Sequence, residues 1–299
     1  MSGAFFWPTP LGIRYFEDMD WDLTTWIKTV LAEDIADGDH TTLATIPADR
    51  TGSARLLVKE KGIVAGVEVA RQIFEIFDPS LTFEQLMHDG DQVDPGDIVF
   101  RVHGSSRSLL TIERTVLNIM QRMSGIATKT NLIVDIIKGT GARLLDTRKT
   151  TPGMRFLEKQ AVVIGGGTNH RFGLYDMMMI KDNHNDHAGG ITAAIGRAKA
   201  YQQEKGINIP IEVEARDAEE VREILAAGPV DRIMLDNFPP EAIRAILPEI
   251  GDQIETEASG GITEATIRSY AETGVDFISV GALTHSVKSL DLSLKAIHA

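Results

Sequence analysis

The chain has 299 residues, of which 43% are hydrophobic and 24% charged, and its formal net charge is −13. This length and composition are typical of a globular protein with one large α/β domain or two smaller ones, and the acidic balance argues against nucleic acid or anionic lipid as a partner. No apolar stretch approaches the ~18 residues of a membrane span, and without cysteine the chain can form no disulfide, thiol nucleophile or Cys-ligated zinc site.

The N-terminal part of the sequence mixes helical and strand patterns. A helix is expected from Trp21 to Ala36, with Asp20 as a possible N-cap. Strands separated by Lys, Gly, Asp and Pro turns are expected within 54–66 and 81–104, followed by a helix over 107–123. We therefore predict an N-terminal α+β sandwich domain over residues 1–125, on which the residues after about 285 pack back.

After Gly125 the pattern changes to short apolar runs that alternate with helical stretches every ~20 to 25 residues. Such alternation predicts parallel strands joined by right-handed helical crossovers, in an α/β barrel or an open doubly wound sheet. Of these we expect an incomplete, TIM-like barrel over residues 126–299. The runs are RLLDT (143–147), MMMIKD (177–182), PIEVEA (210–215), RIMLDN (232–237), QIETEAS (253–259) and DFISVG (276–281). Helices are expected over 191–204, 218–227, 240–250 and 263–273.

Each apolar run finishes with a polar residue or a glycine. Catalytic groups of barrel enzymes occupy the C-terminal ends of the strands, where the loops converge on one cavity. Polar strand ends also arise simply because strands finish where solvent begins, but ends of both charge signs favour a site. The residues are Asp146, Lys181, Glu214, Asp236, Ser259 and Gly281.

Two glycine turns follow the last two strands of the predicted barrel. EASGGIT (257–263) places Ser-Gly-Gly before a helix for which Thr263 is the expected N-cap, and ISVGALTHS (278–286) places Gly281 at the end of a strand. Glycines allow backbone N–H groups to approach an anion closely, and many barrel enzymes bind phosphate after their last two strands. The pair of turns predicts a phosphate site.

One segment is basic within the acidic chain. Between Arg143 and His184 there are seven Lys or Arg residues against four Asp or Glu residues. A solvated surface is the ordinary explanation of such a run. The glycine cluster GGGTNHR (165–171) within it has no dinucleotide-binding spacing, and we interpret it as a flexible loop that delivers His170 and Arg171.

The segment DTRKTTPGMRFLEKQAVVIGGGTNHRFGLYDMMMIKDNH (146–184) resembles the signature region of the quinolinate phosphoribosyltransferase family. The resemblance covers roughly residues 31–290. Further matches follow the family's order in ERTVLNIMQRMSGIATKT (113–130), IEVEA (211–215), LDNF (235–238), EASGGI (257–262) and SVGALTHS (279–286). The resemblance to this family implies an enzyme that converts quinolinate and phosphoribosyl pyrophosphate to nicotinate mononucleotide, pyrophosphate and CO2 in NAD biosynthesis. It also implies Mg²⁺ bound with the donor, no organic cofactor, and a homodimer or a hexamer built from dimers.

The resemblance implies roles for individual residues. Arg148, His170 and Arg171 correspond to the groups that hold the quinolinate carboxylates, and Arg114 corresponds to an arginine that enters the site of a neighbouring subunit. Arginine suits planar carboxylates and lysine suits phosphate, so this mixture fits two polyanionic substrates. As a surface charge on a helix, Arg114 has an ordinary explanation as well.

The remaining roles concern the phosphoribosyl donor. The resemblance implies catalytic Lys149 and Lys181 facing the donor, and catalytic Glu214 and Asp236 as ligands of the ribose or of Mg²⁺, for which oxygen ligands are suitable. Glu212 shares a strand face with Glu214, which leaves the choice between the two open. The 5′-phosphate is assigned to Ser259, Gly260, Gly261 and Gly281.

Three alternatives compete with this interpretation. A strand-end lysine such as Lys181 also serves Schiff-base aldolases on barrels, although an aldol substrate needs less positive charge. A non-catalytic paralogue that binds a phosphosugar would keep the same fold. His184 and His187 could bind a metal, but loop histidines beside Asp and Asn are more often solvated or hydrogen-bonded. The missing cysteines and the lack of a secretory signal pattern in residues 1–20 predict a cytoplasmic protein.

Overall fold

The computed structural model describes residues 22–297. Its first part combines helices with short antiparallel strands. The elements are α1 (Leu23–Ile35), α2 (His40–Thr45), β1 (Thr51–Val58), β2 (Gly62–Ile63), α3 (Val67–Phe77), β3 (Thr82–Gln85), β4 (Gln92–Val93), β5 (Ile98–Ser105) and α4 (Ser106–Ile137). The N-cap of α1 is Asp22, whose carboxylate accepts the N–H groups of Thr24 and Thr25, so the expected cap at Asp20 is wrong.

The second part alternates strand and helix. The elements are β6 (Arg143–Leu145), α5 (Arg155–Ile164), β7 (Met178–Ile180), α6 (Asp182–Ala188), α7 (Ile191–Lys205), β8 (Ile211–Ala215), α8 (Ala218–Ala227), β9 (Arg232–Asp236), α9 (Pro240–Ile250), β10 (Glu255–Ser259), α10 (Ile267–Ala271), β11 (Phe277–Ser279), α11 (Ala282–His285) and β12 (Leu292–Ile297). Every apolar run of the sequence thus contains a strand.

The strands β6 to β11 form one parallel sheet in the order β6-β11-β10-β9-β8-β7. Strands β7 to β11 lie side by side in chain order, and β6 lies next to β11. This is the strand order of a barrel, whereas the strand order of a doubly wound sheet reverses in the middle of the sheet. Within residues 22–297 the sheet has six strands instead of eight, and the incomplete TIM-like barrel is confirmed.

The N-terminal sheet is completed by the end of the chain. Its order is β12-β1-β5-β3, and β12 pairs antiparallel with β1 with Leu294 opposite Leu56. The 32-residue helix α4 runs without a break through position 125, where the expected domain boundary lies. A side chain at Gly125 would collide with the backbone of Lys288 and Ser289, so glycine is needed where the chain returns to α4.

Local sequence explains most element ends. Ser105 caps α4 by accepting the N–H of Ser108, and Asp217 caps α8 by accepting two N–H groups. The expected N-cap Thr263 is wrong, because Thr263 begins a turn in which its carbonyl accepts the N–H of Thr266, and Thr266 is the residue that precedes α10. Within residues 22–297 no helix combines the length and apolar character that crossing a membrane requires.

Candidate active site

A cavity of about 650 Å³ opens at the C-terminal ends of the barrel strands. Ten residues singled out from the sequence line it, although they come from loops and strands more than 130 positions apart. They are Arg148, Lys149, His170, Arg171, Lys181, Asp236, Ser259, Gly260, Gly261 and Gly281. Glu214 contacts this set through Lys181, whereas Arg114 is exposed on α4 and lies outside the lining.

One wall of the cavity carries two arginines, Arg148 and Arg171, neither of which forms an ion pair within residues 22–297. Burial, followed by the charge of Arg148, lowers the pKa of the half-buried Arg171. The Nε of Arg148 is buried and has no hydrogen-bond partner within residues 22–297, and Arg171 Nη1 donates to the carbonyl of Met177 at 3.1 Å. Guanidinium groups held this way are ready for a planar, bidentate anion such as a carboxylate.

Another part of the rim pairs a lysine with a carboxylate. Lys181 Nζ donates to Glu214 Oε2 at 2.6 Å. Burial and the neighbouring charge of Glu214 raise the pKa of Asp236, which shows that the two carboxylates lie close together. A pair of carboxylate oxygens beside a cavity fits a hard divalent cation such as Mg²⁺ or the hydroxyl groups of a sugar.

The glycine turns stand beside these charges. Gly260 and Gly261 have φ values of +97° and +60°, and a side chain at Gly260 would overlap Asn237. A side chain at Gly281 would come within 3.0 Å of the Lys149 Cδ atom. Glycines at these positions leave the backbone N–H groups open to close approach by an anion, which is what the expected phosphate site requires.

The segment 165–171 is not a flexible loop, and this expectation is wrong. Lys159 Nζ donates to Asp146 Oδ1 at 2.6 Å and to the carbonyl of His170 at 3.0 Å, and Asp146 accepts the N–H of His170 at 2.7 Å. All three residues are buried. Thr168 forms a parallel bridge with Leu145 on the edge of β6. The segment is therefore fixed in the barrel.

The His170 side chain lies in the floor of the cavity, between buried carboxylates. Its Nε2 lies 3.2 Å from Glu212 Oε2 and 3.3 Å from Glu257 Oε2, while Arg232 Nη1 lies 3.4 Å from Glu257. Glu212, Glu214 and Glu257 are all buried, but Glu214 alone contacts Lys181 at the rim. Glu212 and Glu214 thus occupy two layers of the same barrel.

Two groupings of possible metal ligands need comment. His170, Glu212 and Glu257 bring their ligand atoms within 4.8 Å of one another, but the guanidinium of Arg232 already supplies a positive charge to this cluster. His184 is exposed and its Nδ1 accepts the N–H of Lys181 at 2.9 Å, so it caps α6. Neither grouping fits a metal as well as the rim carboxylates.

Sequence reasoning missed several residues that line the cavity. Glu257 lies two residues before Ser259 on β10 and therefore points to the same face, a relation that the sequence offers directly. His285 stands within the quoted motif SVGALTHS but received no role. The others are Thr147, Met179, Met234, Ile262, Ser279, Val280 and Ala282.

A parallel barrel with cationic side chains and glycine turns at its C-terminal end defines a barrel enzyme for phosphorylated, anionic substrates. The chain belongs to the quinolinate phosphoribosyltransferase family, and with it to the pentosyltransferases. The family's C-terminal domain matches residues 126–295 and its N-terminal domain matches residues 39–124.

Named relatives and solved structures agree with this membership. The chain is 47% identical over 300 residues to nicotinate-nucleotide pyrophosphorylase (carboxylating) of Arabidopsis thaliana, covering 95% of this chain and 86% of the relative. It is 45% identical to a probable enzyme of that name from Bacillus subtilis, covering 88% and 89%. NadC from Streptococcus pyogenes superposes with a TM-score of 0.87 at 40% identity, covering 93% of this chain and 98% of that one.

Proposed function

We propose that the protein converts quinolinate and phosphoribosyl pyrophosphate to nicotinate mononucleotide, pyrophosphate and CO2, a step of NAD biosynthesis. The observation that carries the proposal is the convergence of Arg148, Lys149, Arg171 and Lys181 on one cavity that also contains the glycine turns. Two polyanions require such a concentration of positive charge in a chain that is acidic overall.

Quinolinate carries two adjacent carboxylates, which the arginines can hold. Arg148 and Arg171 line one cavity wall and supply bidentate donors, while His170 lies in its floor. Arg114 is exposed on α4, which leaves it free to enter the site of a second copy in a homodimer or in a hexamer built from dimers. Gel filtration with light scattering tests the assembly, and mixing an Arg114→Ala chain with an Arg171→Ala chain tests sharing, because a mixed dimer regains one complete site.

The phosphoribosyl donor fits the other side of the cavity. Lys149 and Lys181 face its phosphates, and the glycines at 260, 261 and 281, with Ser259, receive the 5′-phosphate through backbone N–H groups. Glu214 and Asp236 would hold Mg²⁺ together with the pyrophosphate. When bound, the ion neutralises negative charge on the donor.

The chemistry needs positioning rather than a protein nucleophile. The pyridine nitrogen forms a bond to C1 of the donor while the bond from C1 to the pyrophosphate oxygen breaks. The ring nitrogen becomes cationic, so the bond from C2 to its carboxylate can break with the electron pair left at C2, which then takes up a proton. The substrate provides its own electron sink, no organic cofactor is needed, and the protein supplies orientation and electrostatic stabilisation.

The test follows carboxyl-labelled quinolinate, phosphoribosyl pyrophosphate and Mg²⁺ with the purified protein. We expect equal amounts of released CO2, pyrophosphate and nicotinate mononucleotide. The Lys181→Ala variant should form none of the three, whereas the control Lys205→Ala, which changes an exposed lysine, should form all of them. Turnover of nicotinate in place of quinolinate would move the assignment to another pyridine transferase. Borohydride trapping of an adduct on Lys181 would instead support an aldolase, and binding without CO2 release would support a non-catalytic paralogue.

A cytoplasmic location is part of the proposal as well. It rests on the composition and the absence of cysteine. The Arabidopsis relative is named chloroplastic and two Nicotiana tabacum relatives are named mitochondrial, whereas the name of the Bacillus subtilis relative carries no organelle. Cell fractionation followed by immunoblotting tests the location.

A further inference from the structure

Glu257 is a fully buried carboxylate in the floor of the cavity, and the function described above gives it no role. It lies on β10 one layer below Ser259. Its Oε2 faces the His170 ring at 3.3 Å and the Arg232 guanidinium at 3.4 Å. Burying a carboxylate costs free energy unless it is paired with a positive group. His170 and Arg232 therefore explain how Glu257 can be buried, but they do not explain why a carboxylate lies beneath a substrate site.

The His170 ring connects this carboxylate to the next residue. Its Nε2 faces Glu212 and Glu257, and its Nδ1 accepts the backbone N–H of Arg171 at 2.6 Å. Burial alone would lower the pKa of His170, but the neighbouring charges of Glu257 and Glu212 raise it to about 10. The Nε2 atom lies within 3.3 Å of both carboxylates, and because it makes no hydrogen bond of good geometry within residues 22–297, the attraction is electrostatic.

The backbone around Arg171 is thus held from two sides. The buried pair of Asp146 and Lys159 binds the N–H and the carbonyl of His170. The imidazole, itself oriented by the carboxylates below it, binds the N–H of Arg171. The guanidinium of Arg171 is left to make its bond to the Met177 carbonyl and to line the cavity. Its aim therefore depends on the orientation of the His170 ring.

We infer that Glu257 is a positioning residue that acts on Arg171 through the His170 ring and so aligns the Arg171 guanidinium with a carboxylate of the substrate. The inference rests on the proposed function, because the carboxylate is that of quinolinate. It also assigns His170 a second part, beside any contact with the substrate, since its Nδ1 lies against the backbone N–H of Arg171. Glu212 assists from β8, and Arg232 keeps the carboxylates together.

The first test replaces the charge and keeps the shape, with Glu257→Gln. We expect the KM for quinolinate to rise about tenfold, as for the weakening of one charge-assisted contact, while the KM for phosphoribosyl pyrophosphate stays within twofold. The matched control is Glu255→Gln, which lies on the same strand and pairs with the same Arg232 but is half exposed and has no contact with His170. We expect that variant to keep both KM values. Equal rises of both KM values, or the same effect in the control, would refute the inference.

The second test is a double-mutant cycle with Arg171→Lys. If Glu257 acts through Arg171, the KM for quinolinate in the double variant equals that of Arg171→Lys alone, whereas multiplication of the two single effects would show an independent role.

Should Glu257→Gln not fold, Glu257→Asp keeps the charge but moves it away from the ring, and the same selective rise of the KM for quinolinate is expected. Nitrogen-15 spectra of the histidines add a direct readout, because the His170 signals shift in either variant. Failure of the native protein to convert quinolinate would refute the proposed function, whereas normal conversion with an unaffected Glu257 variant refutes only this inference.

Discussion

The rim of the cavity and the layer beneath it use the same kinds of residue in opposite ways. On the arginine wall of the rim, burial and the charge of Arg148 lower the pKa of Arg171, and neither arginine forms an ion pair within residues 22–297. One layer down every charge is matched, Lys159 by Asp146 and His170 by Glu212 and Glu257. Unmatched charges are free to bind a ligand, whereas matched and buried charges hold the backbone that aims them. The partners of a charged residue in this barrel therefore indicate whether the residue binds a ligand or holds the backbone in place.

The largest expected effect comes from breaking the lower layer at Asp146. Asp146→Asn leaves the buried ammonium of Lys159 without its counter-charge, and we expect a loss of about 3–5 kcal/mol in the free energy of unfolding. Urea denaturation followed by circular dichroism measures it. The control is Glu249→Gln, which removes an exposed pair with Arg222 and should cost under about 1 kcal/mol. Equal costs for the two variants would erase the distinction between the layers.

The next effect concerns the rim. Arg171→Ala should lower kcat/KM for quinolinate by roughly 10²- to 10³-fold, because a preorganised charge at the reacting ligand is lost. The free energy of unfolding should change little in comparison with Asp146→Asn. Arg197→Ala, an exposed arginine on α7, serves as the matched control in the same steady-state assay. A large loss of stability in Arg171→Ala would show that the rim, too, is structural.

A smaller effect is expected from acid. Burial alone would raise the pKa of Glu257, but the charges of His170 and Arg232 lower it from 4.5 to about 2. A carboxyl with a depressed pKa stabilises the fold above its unfolded value, and this contribution is lost as the pH falls from 4.5 towards 2. The difference in free energy of unfolding between the native protein and Glu257→Gln, about 1–3 kcal/mol near neutrality, should shrink over that window. A constant difference down to pH 2 would contradict the pairing.

The smallest effect is expected at the phosphate turn. In Gly281→Ala the added methyl group meets the flexible ends of Lys149 and His285, at 3.0 Å and 3.1 Å. Both side chains can shift, so we expect the KM for phosphoribosyl pyrophosphate to rise only about threefold, which is under ~1 kcal/mol. The KM for quinolinate, measured in parallel, should not change. A selective rise of the KM for quinolinate would instead indicate that quinolinate, and not the phosphoribosyl donor, binds beside this turn.

The elements that depend on local pattern were predictable from the sequence. The helices at 218–227 and 240–250 have the expected bounds, and each apolar run contains a parallel strand. The C-terminal ends of those strands could be assigned to one cavity because a barrel forces them together. The resemblance of 146–184 to a known family added residue roles that periodicity alone does not supply.

The lower layer was not predictable in the same way. The segment 165–171 is rigid because of a pair between Asp146 and Lys159, and no local pattern connects residues 13 positions apart on a strand end and a helix. Glu257 was missed although its spacing from Ser259 is visible in the sequence, because the partners that bury it, His170 and Arg232, come from other segments of the chain. Thr263 was misjudged because Thr266, a second threonine three residues further on, accepts the N–H of Thr263 and precedes α10 in its place.

The most direct test of the account is a crystal structure of the protein with quinolinate and an unreactive analogue of phosphoribosyl pyrophosphate bound together. We expect the two quinolinate carboxylates within hydrogen-bond distance of Arg148 and Arg171, and the 5′-phosphate against the backbone of Gly260 and Gly261. Quinolinate bound away from both arginines, for instance in the cleft between α8 and α9, would contradict the account.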